Sequence, residues 1–165
     1  MYIVSQIIGF IAFIVSLIAY QRKKKKDILF TGIIASILNL IHYLILNGCS
    51  GAVTKAIAIL RDTFIVCKEK KKVLNNVLFL VIFILLYLCA MIYTYNGILS
   101  IFPLVAALIY LIPTWFGNSK TVKKTALFCY FLWLIYNIFV LSIAGVASNI
   151  VSIISIIISL KRGEL

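Results

Sequence analysis

Acidic side chains are almost missing from this chain. Only four of its 165 residues are Asp or Glu, and it has one histidine, two prolines and eight glycines. So few carboxylates leave no pair for general acid–base work and no set for a two-metal centre. No Gly-rich phosphate loop occurs. Cys49, Cys67, Cys89 and Cys129 are far apart and form no CxxC pair, so they read as apolar filler. His42 alone cannot make a metal site. The expectation is a protein with no cofactor, no metal, no catalytic residue and no enzymatic activity.

Apolar residues dominate what remains. Hydrophobic residues make up 64% of the chain, and mean hydropathy is +1.17. A soluble domain is roughly 45–50% apolar and needs polar faces. The formal charge of +12 would suggest nucleic acid in a soluble protein. Here the Lys and Arg residues cluster between long apolar runs, which is how bilayer topology is encoded, so no nucleic-acid partner is expected and the lipid bilayer is.

About 20 residues of helix cross the hydrocarbon layer. Seven spans are expected, at 3–20, 28–47, 52–67, 75–94, 98–115, 125–142 and 144–160. The third carries Lys55, Arg61 and Asp62, so hydropathy alone underrates it. The last two are separated at the small residues Ser142-Ile143-Ala144-Gly145, with a tight turn expected near Gly145. Charge alternates along the connections. Arg22–Lys26, Lys68–Lys72, Lys120–Lys124 and Lys161–Arg162 are basic, while Asn47–Gly51, Tyr95–Gly97 and the Gly145 region carry no charge. The positive-inside rule then puts the N-terminus outside and the C-terminus in the cytoplasm, which requires an odd number of spans. The first span is not read as a secretory signal, because its positive charge follows the apolar run.

Sliding the chain against itself by 94 residues superposes span one on five, two on six and three on seven without a gap. Lys26 falls on Lys120, Thr31 on Thr125, Gly51 on Gly145 and Thr54 on Ser148, and His42-Tyr43 on Tyr136-Asn137. The expected fold is one all-α integral membrane domain over 1–165. Two parallel three-helix units, 3–67 and 98–160, would be joined by a linker helix at 75–94. Parallel repeats are a standard transporter plan, with the solute held between the units.

The chain resembles the bacterial inner-membrane proteins of YgjV type over nearly its whole length. His42-Tyr43, Gly51-Ala52 and Arg61 carry the resemblance in the first half. Pro103, Trp133-Leu134-Ile135-Tyr136-Asn137 and Ser142-Ile143-Ala144-Gly145 carry it in the second. That family is similar to the SWEET and SemiSWEET sugar transporters and the PnuC vitamin transporters, which implies the three-one-three plan. The chain lacks the Pro-Gln pair of the sugar carriers, and both its prolines fall in span five.

Polar residues inside the bilayer are the candidate site. A charge at helix centre costs about 2.5–3.5 kcal/mol on insertion scales, so it faces protein or water. Arg61 lies about 10 Å deep by helical rise. It either snorkels to the interface or serves binding. Asp62 is its neighbour, points about 100° away around the helix and is expected to pair with another helix. His42 is either a proton-linked group or a histidine bonded between helices. Asn39 stands one turn from His42, and its counterpart Trp133 one turn from Tyr136 and Asn137. These two aromatic–polar clusters suit a ring-like polar solute. Asn149, beside the small-residue stripe Gly145, Ser148, Ser152, Ser155 and Ser159, is a further ligand candidate; the stripe itself, like Ser5, Gly9, Ala12, Ser16 and Ala19, suits close helix packing. Gly51 and Gly145 are candidate turn positions, and Pro103 and Pro113 candidate hinges or static kinks. Two functions remain open: a transporter for a small polar organic solute, or a non-transporting lipid-binding or receptor-like membrane module.

Overall fold

Nearly every stretch of this sequence joins branched apolar residues to good helix formers, and in lipid only a helix satisfies such a backbone internally. The computed structural model describes residues 1–68 and 77–161. The described chain is helical, with α1 (Tyr2–Gln21), α2 (Lys25–Ile45), α3 (Cys49–Lys68), α4 (Val77–Tyr93), α5 (Phe102–Phe116), α6 (Ser119–Phe139) and α7 (Ile143–Lys161). A 3-10 turn over Ile98–Ile101 leads into α5. The basic run at 69–72, residues 75–76 of span four and residues 162–165 lie outside the described residues.

Five helical segments are long and apolar enough to cross a membrane: α1, α2, the stretch Ile98–Phe116, α6 and α7. The helix α4 is apolar but has 17 residues, the short limit for a span. The helix α3 has 20 residues but carries Lys55, Arg61 and Asp62. It is sheltered instead by α2, α4 and α5, which pack around it.

The helix contacts close a ring. The helix α2 packs on α1 and α3, and α6 on α5 and α7, while α1 meets α7 and α3 meets α5. The helices α2 and α6 touch across the centre. The helix α4 leans on α3 and α5, where Leu80, Phe83 and Tyr87 join Ile65, Leu104, Leu111 and Trp115 in one apolar cluster. Ile3, Ile7, Ile14, Leu85, Ile112, Phe128 and Ile154 remain exposed on the outer surface, as lipid-facing residues should.

Two expectations about breaks need correction. The sixth span was placed at 125–142, with its turn near Gly145. The helix instead begins at Ser119, where the Asn118 side chain caps the backbone N–H of Thr121, and ends at Phe139. The turn residue is Leu141, with φ of 53°. The N–H of Ser142 bonds the Asn137 carbonyl (3.0 Å) and that of Leu141 the Ile138 carbonyl (3.3 Å), a Schellman closure. The end of α2 is built the same way. Asn47 has φ of 57°, Gly48 N–H bonds the Tyr43 carbonyl (2.9 Å) and Asn47 N–H the Leu44 carbonyl (3.2 Å). Gly51 and Gly145 lie inside α3 and α7 and serve close packing instead of turning the chain. A Cβ on Gly51 would come 2.9 Å from Tyr136 Cε1, and one on Gly145 would collide with Asn137 and Ser142.

Pro103 does not interrupt α5. It occupies the first turn of α5, where a missing N–H removes no helical bond. Pro113 does lie inside α5, near its end, and Thr114 Oγ donates to the Tyr110 and Leu111 carbonyls beside it.

Candidate functional site

At the end of the bundle with uncharged turns, polar side chains tie the helices together. Ser5 of α1 lies 2.8 Å from His42 Nδ1, and Ser142, just before α7, lies 2.7 Å from His42 Nε2. Tyr43 donates its hydroxyl to Asn137 Oδ1 (2.9 Å), joining α2 to α6. The Tyr136 hydroxyl accepts from the Gly51 backbone N–H (3.0 Å) and from Ser50 Oγ (3.2 Å), joining α6 to α3. Gln6 Oε1 accepts the Ala144 N–H at 2.9 Å, joining α1 to α7. His42, Asn137, Ser5 and Ser142 are each at most 1% exposed. The close approach at Gly51 is what lets the Tyr136 hydroxyl reach α3 backbone.

Beneath this knot lies a partly enclosed cavity of ≈ 120 Å³ between α1, α2, α3, α5 and α6. Trp133 separates the two regions. It stacks on Tyr43 with ring centroids 5.6 Å apart, and its edge meets Tyr136. The cavity runs from Asn39, Thr54 and Trp133 toward the basic end, at Tyr20, Ile28 and Ala126.

Three charged groups line it, all from α3. Arg61 Nε donates to Asp62 Oδ1 at 2.7 Å, and Nη1 donates to the Tyr87 hydroxyl at 3.3 Å. The guanidinium also lies 5.2 Å from the Tyr110 ring centroid. The expectation that Asp62 pairs across helices is therefore overturned. Angular separation argues against neighbouring partners only when both chains extend radially. The long Arg61 chain curls along α3, and burial of both groups rewards a short charge-assisted bond. With its head bonded to Asp62 and Tyr87, Arg61 does not snorkel to the interface. Lys55 places its ammonium over Trp133, 4.1 Å from the ring centroid. Tyr20 and Tyr130 meet edge to face at 5.7 Å, and the Tyr20 hydroxyl interacts with those of Tyr110 and Tyr130.

The sequence profile of the Imp-YgjV family, described as bacterial inner membrane protein, matches residues 3–164. The chain belongs to that family. It is thus a multi-helix protein of the bacterial inner membrane, and the Imp-YgjV chain has the lipid bilayer as its solvent. Neither a curated protein nor a solved structure matches it.

The candidate residues of this Imp-YgjV protein divide between the two regions. Asn39, Arg61, Asp62 and Trp133 line the cavity. His42, Tyr136 and Asn137 belong to the knot. Asn149 is buried on α7 apart from the cavity lining, and its Nδ2 has no partner among the described residues. Ser155 receives a bond from Gln21 (2.6 Å) and Ser159 one from Lys123 (2.8 Å), so the stripe on α7 meets α1 and α6. Among the described residues, no three of His, Cys, Asp and Glu come together as metal ligands would. Sequence reasoning passed over Lys55 and the three tyrosines as site residues. The signal for Lys55 was available: a lysine mid-span shares its helix with two other charges. Tyr20 lies at the end of α1, where interfacial aromatics are ordinary, and Tyr110 and Tyr130 stand mid-helix among many other aromatics, so nothing in one sequence distinguished them.

Proposed function

We propose that this protein is a transporter that moves a small polar organic solute across the inner membrane by alternating access between two three-helix units. The observation that carries the reading is the placement of the knot above the cavity. A bundle sealed at one end by exchangeable hydrogen bonds, with a polar cavity below the seal, is what one end-state of such a carrier requires. The same reading accounts for the ring of contacts. Exchanging α1, α2 and α3 for α5, α6 and α7 turns the α3–α5 contact into the α7–α1 contact and leaves α2–α6 unchanged. The bounds Lys25–Ile45 and Ser119–Phe139 differ by the same 94 residues that separate Tyr43 from Asn137, the pair bonded across the centre. The two Schellman turns obey the same offset.

The two units are not equivalent in charge. Lys55, Arg61 and Asp62 correspond to Asn149, Ser155 and Ile156, so the first unit alone supplies the charged groups of the cavity. In this reading the linker is α4, the basic end faces the cytoplasm and the knot faces outward. Exposed Arg22, Lys23, Lys24, Lys26, Lys120 and Lys124 all sit at that basic end. Nothing in the arrangement calls for bond-making chemistry, and we assign no enzymatic step.

Uptake and efflux of radiolabelled sugars, nucleosides, vitamins and small organic acids by proteoliposomes test the proposal. Saturable flux of one class supports it. No flux with any class, together with lipid held in the cavity, would establish the non-transporting module instead. A cytoplasm-active reporter fused after Leu165 tests the orientation separately, and activity only outside the cell reverses it.

A further inference from the structure

The cavity's charge does not close. Two cations, Lys55 and Arg61, face it with a single carboxylate, Asp62, and that carboxylate is bonded to Arg61 at 2.7 Å. No carboxylate among the described residues lies within ion-pair distance of Lys55, whose ammonium rests on the Trp133 face. A ring face is a weak substitute for a counter-ion. Such a group holds its charge best when a ligand brings the missing one.

The rest of the lining limits what that ligand is. Asn39, Ser16, Ser36 and Thr54 add neutral polar groups, while Ile28, Leu29, Ala35, Ala58, Ala107 and Ala126 make an apolar wall. An inorganic anion would leave this wall without a partner. The volume of ≈ 120 Å³ is below the roughly 150 Å³ in which an engineered protein cavity holds benzene. A carboxylic acid with a short carbon chain fits within it, whereas a nucleoside or disaccharide would extend out of its open side.

We infer that the cavity binds a compact organic monoanion, a short-chain monocarboxylate, with Lys55 as its counter-ion and Trp133 as the face against which its carbon chain packs. This names the solute class of the transport reading and rests on it for the direction of use, though binding itself does not require transport. On binding, the Lys55 ammonium exchanges the Trp133 ring for the ligand carboxylate. The ring face is thereby uncovered for the apolar part. Arg61 and Asp62 keep each other, so the protein's own charge in the site is one, and a single carboxylate brings it to zero.

The test uses butyrate and its neutral isostere butyramide, with chloride and succinate as further probes. The protein is purified in nanodiscs, and binding is read by calorimetry and by tryptophan emission in Trp115→Phe, which leaves Trp133 as the only reporter. The expected result is that butyrate binds and is preferred over butyramide by about tenfold or more, with a change in Trp133 emission. Chloride is expected not to compete, and succinate to bind worse than butyrate. Lys55→Met should lose the preference for the anion, and Lys55→Arg should keep it within about threefold. Equal binding of butyrate and butyramide, full displacement by chloride, binding of neither, or an unaltered preference in Lys55→Met would overturn the inference. The comparison of the two ligands on the unmutated cavity stands even if a lysine variant fails to fold. Butyrate binding without flux would refute transport and leave the site standing. Saturable flux of neutral solutes with no anion preference would do the reverse.

Discussion

The two ends of the bundle are held by different means. At the uncharged end, α1, α2, α3, α6 and α7 are joined by neutral hydrogen bonds centred on His42, Tyr43, Tyr136 and Asn137. Toward the basic end, α1, α2, α3, α5 and α6 stand around a cavity whose strongest contacts run within α3 and across to α4, from Arg61 to Asp62 and Tyr87. Neutral bonds between helices can be exchanged for other neutral bonds at small cost, because measured interhelical bonds in membrane proteins average about 0.6 kcal/mol. A buried ion pair has no such freedom. In the transport reading proposed above, the uncharged end is therefore the part that would open, and the cavity the part that would stay fixed.

The largest effect should come from dividing the ion pair. Arg61→Ala leaves Asp62 buried without its cation, and should destabilise the protein by about 3–5 kcal/mol in thermal unfolding in detergent. A loss under about 1 kcal/mol would mean that water or lipid headgroups already solvate Asp62, and the contrast between the ends would dissolve. Arg61→Lys keeps a cation beside Asp62, so it should be destabilised by less than Arg61→Ala, and it should weaken ligand binding or flux. One ammonium cannot reproduce both the Nε bond to Asp62 and the Nη1 bond to Tyr87. Normal function in that variant would remove Arg61 from the site.

Next in size is crowding at the uncharged end. Gly145→Ala places a methyl against Asn137 and Ser142, and Gly51→Ala places one 2.9 Å from Tyr136. Each should cost about 1–3 kcal/mol, and Gly145→Ala should be the worse because its methyl would collide more closely with its neighbours. Equal melting temperatures for both variants and the parent would show that the helices separate easily there.

Removing a single knot bond should do less. Tyr43→Phe deletes the bond to Asn137 and should cost about 1 kcal/mol or less in stability. Its clearer signature is kinetic: a weakened gate should raise the exchange rate in proteoliposomes above that of the unmutated protein. An unchanged rate would assign the knot to folding alone. The smallest effect tests the turn. Leu141 holds a left-handed conformation that glycine adopts freely, so Leu141→Gly should raise stability by about 0.5–1 kcal/mol. The same change at Asn47 should gain less, since asparagine tolerates that region.

Amino-acid order determined the class, the number of helices and the placement of basic residues between apolar runs. These follow from the bilayer's demand that every span be apolar and internally bonded, a constraint each segment meets alone. The polar candidates were equally legible, because a His, Arg or Asn stands out against Ile and Leu. Their division was not. Asn39 and His42 are three residues apart on α2, yet one lines the cavity and the other is locked between Ser5 and Ser142. Whether a side chain meets open space or a partner depends on which helix faces it, and Ser142 lies 100 residues away along the chain. The turn at Asn47 falls within the expected connection, but the one at Leu141 does not: Gly51 and Gly145 look like turn residues by composition, whereas their use is to admit Tyr136 and Asn137. The Arg61–Asp62 bond was hidden from helical geometry because a flexible side chain follows burial, not the angle at which it leaves the helix. Only the packed ring put Lys55 against Trp133 with no carboxylate among the described residues within ion-pair distance, since α3 and α6 are far apart in the sequence.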